Sequence, residues 1–198
     1  MTVTKSDYKE TENHLYETDY WGTLALLRRI SFHGLHIWEP AAGNHKMADI
    51  LRVCSRAASV TTSDIVDYKR RHDFIWDFTL PTNNPFEPNG EPFGAIVTNP
   101  PFGNGNRLAA KFCRLALQRC NGIVAMLCTA KFDFGNTRTD LFRDNPRFHC
   151  KISLIDRIRW FDHDGSEDGT EDHAWYVWRP VDVPYTPPVI YYEGKLAA

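Results

Sequence analysis

The sequence predicts an α/β chain built on a mostly parallel sheet that ends in one reversed strand. Three stretches carry this expectation. Leu35-His36-Ile37-Trp38-Glu39 alternates as a strand, then passes at once through the small residues Pro40-Ala41-Ala42-Gly43 into a helical pattern, the strand-loop-helix unit of a parallel sheet. Ile123–Cys128 is apolar without a break, which marks a strand covered on both faces. Ile152 to Trp160 and His173 to Arg179 read as two strands joined by a short acidic connection, and such a pair runs antiparallel.

The 198 residues, 42% hydrophobic and 13% aromatic, are enough to bury one good-sized core, so the chain is expected to be a single domain over residues 1 to 198, with a loose, polar stretch from 1 to 19. A net charge of −2 does not advertise a polyanionic partner, and any nucleic-acid binding has to come from a local patch. The five cysteines form no C-x-x-C pair and the eight histidines form no zinc pattern, so reduced core thiols and no metal are expected. The N-terminal residues lack a charged-then-apolar leader and no stretch reaches membrane-spanning length, which points to a cytoplasmic protein with no membrane partner.

Taken in order, Leu24, Leu27 and Ile30 recur at helical spacing and predict a helix over about 20 to 31. After the first strand, small residues let backbone come close to a ligand, and the helix behind them offers free N–H groups. Asn44 is placed to cap that helix, with Met47, Ile50, Leu51 and Cys54 as its buried stripe. No Gly-Lys-Ser/Thr follows, so the loop is not the phosphate loop of nucleotide-hydrolysing enzymes. Ser59–Asp64 is the second strand. Its terminal carboxylate, roughly twenty residues past a small-residue loop, is placed to accept both hydroxyls of a ribose; Asp67 is the alternative. Tyr68 to His72 is a basic segment that suits either solvent or a phosphate, and Pro81 to Pro92 is a connecting loop.

The next strand, Gly94 to Thr98, stops at Asn99-Pro100-Pro101-Phe102. Two prolines remove two backbone donors and stiffen the turn. What remains is a pair of acceptors, the Asn99 side-chain oxygen and the Pro100 carbonyl, beside the aromatic face of Phe102. That set fits an amino or amide nitrogen with a delocalised lone pair: each acceptor takes one N–H and favours a tetrahedral, partly positive nitrogen. On their own, the four residues also make an ordinary turn. Asn106 is expected to cap a helix carrying Leu108, Phe112, Leu115 and Ala116, stopped by Asn121-Gly122. Gly103-x-Gly105 imitates a dinucleotide loop, but the third glycine position is Leu108, which argues against nicotinamide. From Lys131 to Lys151, Arg138, Arg143, Arg147 and Lys151 lie among four phenylalanines. This pattern suits a lip gripping a phosphate backbone and equally a charged surface with buried anchors. The proline-rich tail reads as an extended strap.

Asn99-Pro100-Pro101-Phe102 resembles the catalytic signature (Asn/Asp/Ser)-Pro-Pro-(Tyr/Phe/Trp) of class I S-adenosylmethionine-dependent amino-methyltransferases, best known in enzymes of the DNA adenine-N6 type. The resemblance covers about residues 20 to 180. It implies a Rossmann-like class I methyltransferase, with a mostly parallel seven-stranded sheet, one antiparallel strand and helices on both faces. It assigns the target amine to Asn99 and Pro100, with Pro101 and Phe102 completing the catalytic turn. Glu39-Pro40-Ala41-Ala42-Gly43 is similar to the family's (Asp/Glu)-Pro-x-x-Gly cofactor loop, which makes Glu39, Pro40, Ala41 and Gly43 ligands of S-adenosyl-L-methionine; an acid at Glu39 suits a ligand that carries a sulfonium and an ammonium. Asp77-Phe78 resembles the family's adenine-binding step, and Asn99 borders the cofactor as well. Tyr16, Thr18 and Trp21 match the aromatic-x-Thr-Pro-x-aromatic segment that closes over the methionine end, except that Asp19 stands where proline is usual.

The implied substrate is an adenine of DNA, flipped out over Phe102, with RNA or protein as less favoured partners. Family members of this motif order usually carry a further sequence-reading segment, and none is evident here, which implies short or relaxed specificity. A guanine amino group in RNA, a glutamine amide in a protein, or a cofactor-binding module without turnover are the alternatives.

Overall fold

In the computed structural model, which describes residues 17–80, 92–159 and 171–196, eight strands form one sheet. They are β1 (His36–Glu39), β2 (Ser59–Asp64), β3 (Phe74–Ile75), β4 (Ala95–Thr98), β5 (Ile123–Thr129), β6 (Phe148–Leu154), β7 (His173–Trp178) and β8 (Val189–Glu193). Their order across the sheet is β3-β2-β1-β4-β5-β7-β6-β8. Strands β3 to β5 pair in parallel. Strand β7 runs antiparallel to both β5 and β6, while β8 returns parallel to β6, so β7 is the one reversed strand, as expected.

Side chains alternate across the pleat, and the central strands are apolar on both sides. Ala95, Val97, Ala125, Leu127, Trp175 and Val177 join α1 (Tyr20–Leu27) and α2 (Lys46–Cys54) on one face. Ile96, Val124, Met126, Cys128, Tyr176 and Trp178 join α3 (Arg107–Arg119) on the other. Helices therefore cover both faces of the sheet.

Several expectations need correction. The sheet has eight strands rather than seven among the described residues, because part of the expected strap is β8. The tail's prolines end at Pro188, so Val189–Glu193 is free to form a ladder with Cys150–Leu154. Glu193 anchors it, accepting from Arg28 Nε and Arg29 Nε at 2.6 Å each. The same two arginines lie where the first helix closes, at Leu27 rather than near residue 31. Strand β6 starts at Phe148 and ends at Leu154, earlier than the expected 152 to 160, since its register is set by Trp178 to Ala174 of β7. Cys54 is exposed at the end of α2, while Cys113, Cys120, Cys128 and Cys150 are buried. Residues 1–16 of the expected loose N-terminal stretch, Tyr16 included, the loop 81–91, Trp160 and the acidic connection up to residue 170 lie outside the described residues; of the remainder, Thr18 is buried and Asp19 caps α1. Among the described residues no helix is long and apolar enough to cross a membrane, and no cluster of three or more His, Cys, Asp or Glu could hold a metal.

Candidate active site

The carboxyl ends of β1, β2 and β4 converge on a cavity of about 290 Å³. This is the end of an open α/β sheet where ligands bind. Strand β1 delivers Glu39 there, followed by Pro40, Ala41 and Gly43, all of which line the cavity. Gly43 takes a positive φ of 51° and turns its N–H onto Asp64 Oδ2 at 2.9 Å. Ala42 N donates to Ser63 O at 3.1 Å. The loop is thus hung on the end of β2. Asn44 does not cap α2. Its oxygen instead accepts from Lys69 N at 3.0 Å, and His45 takes the cap position in a left-handed conformation with no side-chain cap bond. His45 Nε2 meets His72 Nδ1 at 2.9 Å, and burial holds the His45 imidazole down at about 4.

Four carboxylates border the cavity: Glu17, which pairs with Lys46 Nζ at 3.2 Å, and Glu39, Asp64 and Asp77. Glu39 is only 2% exposed, and its Oε2 has no hydrogen-bond partner among the described residues. Burial pushes its carboxyl well above the usual carboxylate range, Arg52 offsets part of this, and Asp64 and Asp49 add to it. A buried, unsatisfied carboxyl is costly unless something polar or cationic meets it. Asp64 is 8% exposed and each oxygen accepts one N–H, from Gly43 at 2.9 Å and from Ile65 at 2.8 Å. Burial raises its carboxyl and the two N–H groups pull it back. Asp77 Oδ1 accepts from Thr79 N at 2.8 Å. Beside it Phe78 is buried edge-on to Trp38 at 5.2 Å and against Phe112 at 4.8 Å, a rigid apolar wall.

At the end of β4, Asn99 and Pro101 line the same cavity. Pro100 is buried, and Asn99 and Phe102 are half-buried. The chain leaves Phe102 through Gly103, whose φ is +65° and where a Cβ would stand 2.8 Å from Leu108 Cβ, so only glycine fits. Helix α3 is tied back to this turn, because Leu108 N and Ala109 N both donate to Phe102 O, at 3.1 and 3.3 Å. Asn106 holds the cap position of α3 but makes no side-chain cap bond. It spans to β5 instead, Nδ2 donating to Thr129 Oγ1 at 3.2 Å.

Thr18 also borders the cavity, and Trp21 does not: it is buried in the core against α2 and the sheet, because the helix it opens turns it inward. Residues given other roles in the sequence line the cavity too: Met47 in the first turn of α2 and Leu108 and Phe112 on α3, expected only as helix packing, and Tyr68 of the basic segment, together with Lys46, which no pattern singled out. Their signal was adjacency to loops already singled out; which of them face inward depends on how the helices pack.

The four basic residues of the expected lip are not gathered into one grip. Arg147 donates to the carbonyls of Arg179, Leu117, Cys120 and Gly122 at 2.7–3.0 Å. These carbonyls lie where α3 ends, β5 begins and β7 ends, the pole of the sheet opposite Asn99. Lys151 is held by Asp133 at 2.9 Å and by Ala130 O at 2.8 Å. Arg138 donates to Phe134 O at 2.7 Å and covers the Phe132 ring. Arg143 pairs with Asp144 on the surface. The physical reason is competition: buried carbonyls and a neighbouring carboxylate capture these donors before a ligand can.

No protein-family model and no curated protein sequence matches the chain. Solved structures do resemble it. A Listeria monocytogenes protein assigned to the class I S-adenosylmethionine-dependent methyltransferases aligns at TM-score 0.54 with 12% identity, over 86% of this chain and 62% of its own. The methyltransferase subunit of a Streptococcus thermophilus type I restriction-modification system aligns at 0.55 with 12% identity, over 84% and 45%. The 23S rRNA methyltransferase ErmE aligns at 0.50 with 19% identity, over 83% and 70%. The chain therefore has the Rossmann-like methyltransferase fold, while spanning under two thirds of the length of the first two of these structures.

Proposed function

We propose that the chain is an S-adenosyl-L-methionine-dependent N-methyltransferase, a single domain acting on the N6 amino group of adenine in DNA. The observation that carries this reading is that Asn99 opens onto the same cavity as Glu39, Asp64 and Asp77. A donor molecule and an amine acceptor can meet only where both sets of groups share one space.

The residues present fit the cofactor. The unsatisfied, buried Glu39 Oε2 suits its positively charged methionine end. Each Asp64 oxygen already accepts one N–H and keeps lone-pair capacity for a ribose hydroxyl. Asp77 and the Phe78 wall suit an adenine. When bound, the cofactor supplies an electrophilic methyl group on a sulfonium.

The chain's own part is positioning. Asn99 Oδ1 and the Pro100 carbonyl accept the two N–H groups of the target amine, so that its lone pair is drawn out of the ring's π system as the nitrogen turns tetrahedral. Phe102 stacks on the base and fixes the line of attack. The ammonium-like amine would then release one proton to water, the cofactor's sulfur being left as a neutral thioether.

Transfer of labelled methyl groups, compared across duplex DNA, ribosomal RNA and protein, tests the reading. Label in DNA recovered as N6-methyladenine is expected; label confined to RNA or protein, or cofactor binding with no label anywhere, overturns it. Asp64→Ala is expected to weaken cofactor binding by about 1–3 kcal/mol, the worth of a lost hydrogen bond to a charged group. Titration calorimetry reads this directly, and an unaltered Kd removes Asp64 from the ribose.

A further inference from the structure

Phe102 sits on a turn that cannot hold its ring by itself. The two prolines before it donate nothing, Gly103 after it is left-handed, and the ring's second torsion is intrinsically broad. Something outside the turn has to set the plane. His173, the first residue of β7, lies with its ring stacked on Phe102 at a centroid distance of 5.8 Å and an angle of 26°.

His173 is itself well fixed. It is 2% exposed and pairs across the sheet with Thr129 of β5, the residue that also receives Asn106 Nδ2. Its Nδ1 lies 3.0 Å from Glu171 O. A carbonyl can only accept, so Nδ1 is the donor and the neutral ring is held in one tautomer and one orientation. Burial keeps this imidazole uncharged, lowering it to about 4.

We propose that His173 is a positioning residue whose flat ring backs Phe102 and sets the plane in which the target base is received. This rests on the methyltransferase reading above, in which Phe102 carries the base. The imidazole does not touch the reacting nitrogen; it acts through Phe102, as one face of a three-layer stack of imidazole, phenyl ring and base. An aliphatic side chain of similar volume fills the same space but offers the phenyl ring no flat face to stack on.

The experiment uses the full chain and methyl transfer to DNA lacking N6-methyladenine. His173→Leu is expected to lower kcat about tenfold or more, the scale of a small misplacement at the reacting centre, with cofactor Kd unchanged. His173→Phe, which restores a flat ring, is expected to return most of that loss. In a Phe102→Leu background, His173→Leu is expected to cost little more, since the two rings act as a unit. Melting temperatures of all variants separate instability from misplacement. Equal losses in the Leu and Phe variants, or a His173→Leu kcat equal to wild type, overturn the His173 role and leave the methyltransferase reading standing. A wild type that labels no polymer removes that reading, and the His173 role with it.

Discussion

Asn99→Ala is expected to cut turnover by about 10²-fold or more while leaving cofactor affinity nearly intact. The magnitude is that of one preorganised acceptor or donor lost from a transition state. The selectivity for turnover follows from position. Asn99 borders the cavity, yet the polar groups suited to the cofactor sit on other strand ends, at Glu39, Asp64 and Asp77. On the proposed function, removing Asn99 Oδ1 would leave the Pro100 carbonyl as a single acceptor, able to hold the amine but not to pull both N–H bonds out of the ring plane. Asn99→Asp keeps an acceptor oxygen and is expected to retain more turnover than the alanine variant. Single-turnover transfer beside calorimetric Kd measurements separates the two effects. Turnover equal to wild type in Asn99→Ala removes the amine from this turn.

Arg147→Met should destabilise the fold by about 3 kcal/mol, discounted for the partial solvent access of its site. Its guanidinium joins Leu117 and Cys120 near the end of α3, Gly122 before β5 and Arg179 after β7. The last carbonyls of a helix have no partner within it, so one planar group with five donors ties the stretch 117–122 to the end of β7. Methionine keeps much of the apolar stem and satisfies none of the four carbonyls. Denaturant unfolding reads the loss as a lowered midpoint at constant slope. Arg143→Met is the control: its pairing with Asp144 is at the surface, and the midpoint is expected to stay where it is. Equal midpoints for the two variants would return Arg147 to the surface role that the sequence pattern suggests.

The two arginines show where local reading stops. They lie four residues apart in one basic and aromatic stretch, with nothing in composition to tell them apart; what separates them is that two distant carbonyl-bearing segments, residues 117–122 and Arg179, arrive beside Arg147. Trp21 and Cys54 follow the same logic in opposite directions. Trp21 sits in an aromatic cluster that invites a ligand and is buried as packing, whereas Cys54 continues an apolar spacing and ends exposed. The His173 stack on Phe102 joins residues about 70 positions apart, and no spacing rule reaches that far.

By itself the sequence determined the alternation of strands and helices, the limits of β2 at Ser59–Asp64, and the chemistry standing at three strand ends, Glu39, Asp64 and Asn99. These depend on side-chain periodicity and backbone restriction within a few residues, where proline, glycine and β-branched side chains act directly on their own segment. Only the tertiary structure decided that the three strand ends open onto one cavity, that the tail past Pro188 adds an eighth strand, and which cations spend their donors inside the protein. Those outcomes turn on which segments meet across the sheet, and a buried carbonyl or carboxylate takes whichever donor the fold brings to it, wherever that donor lies in the chain.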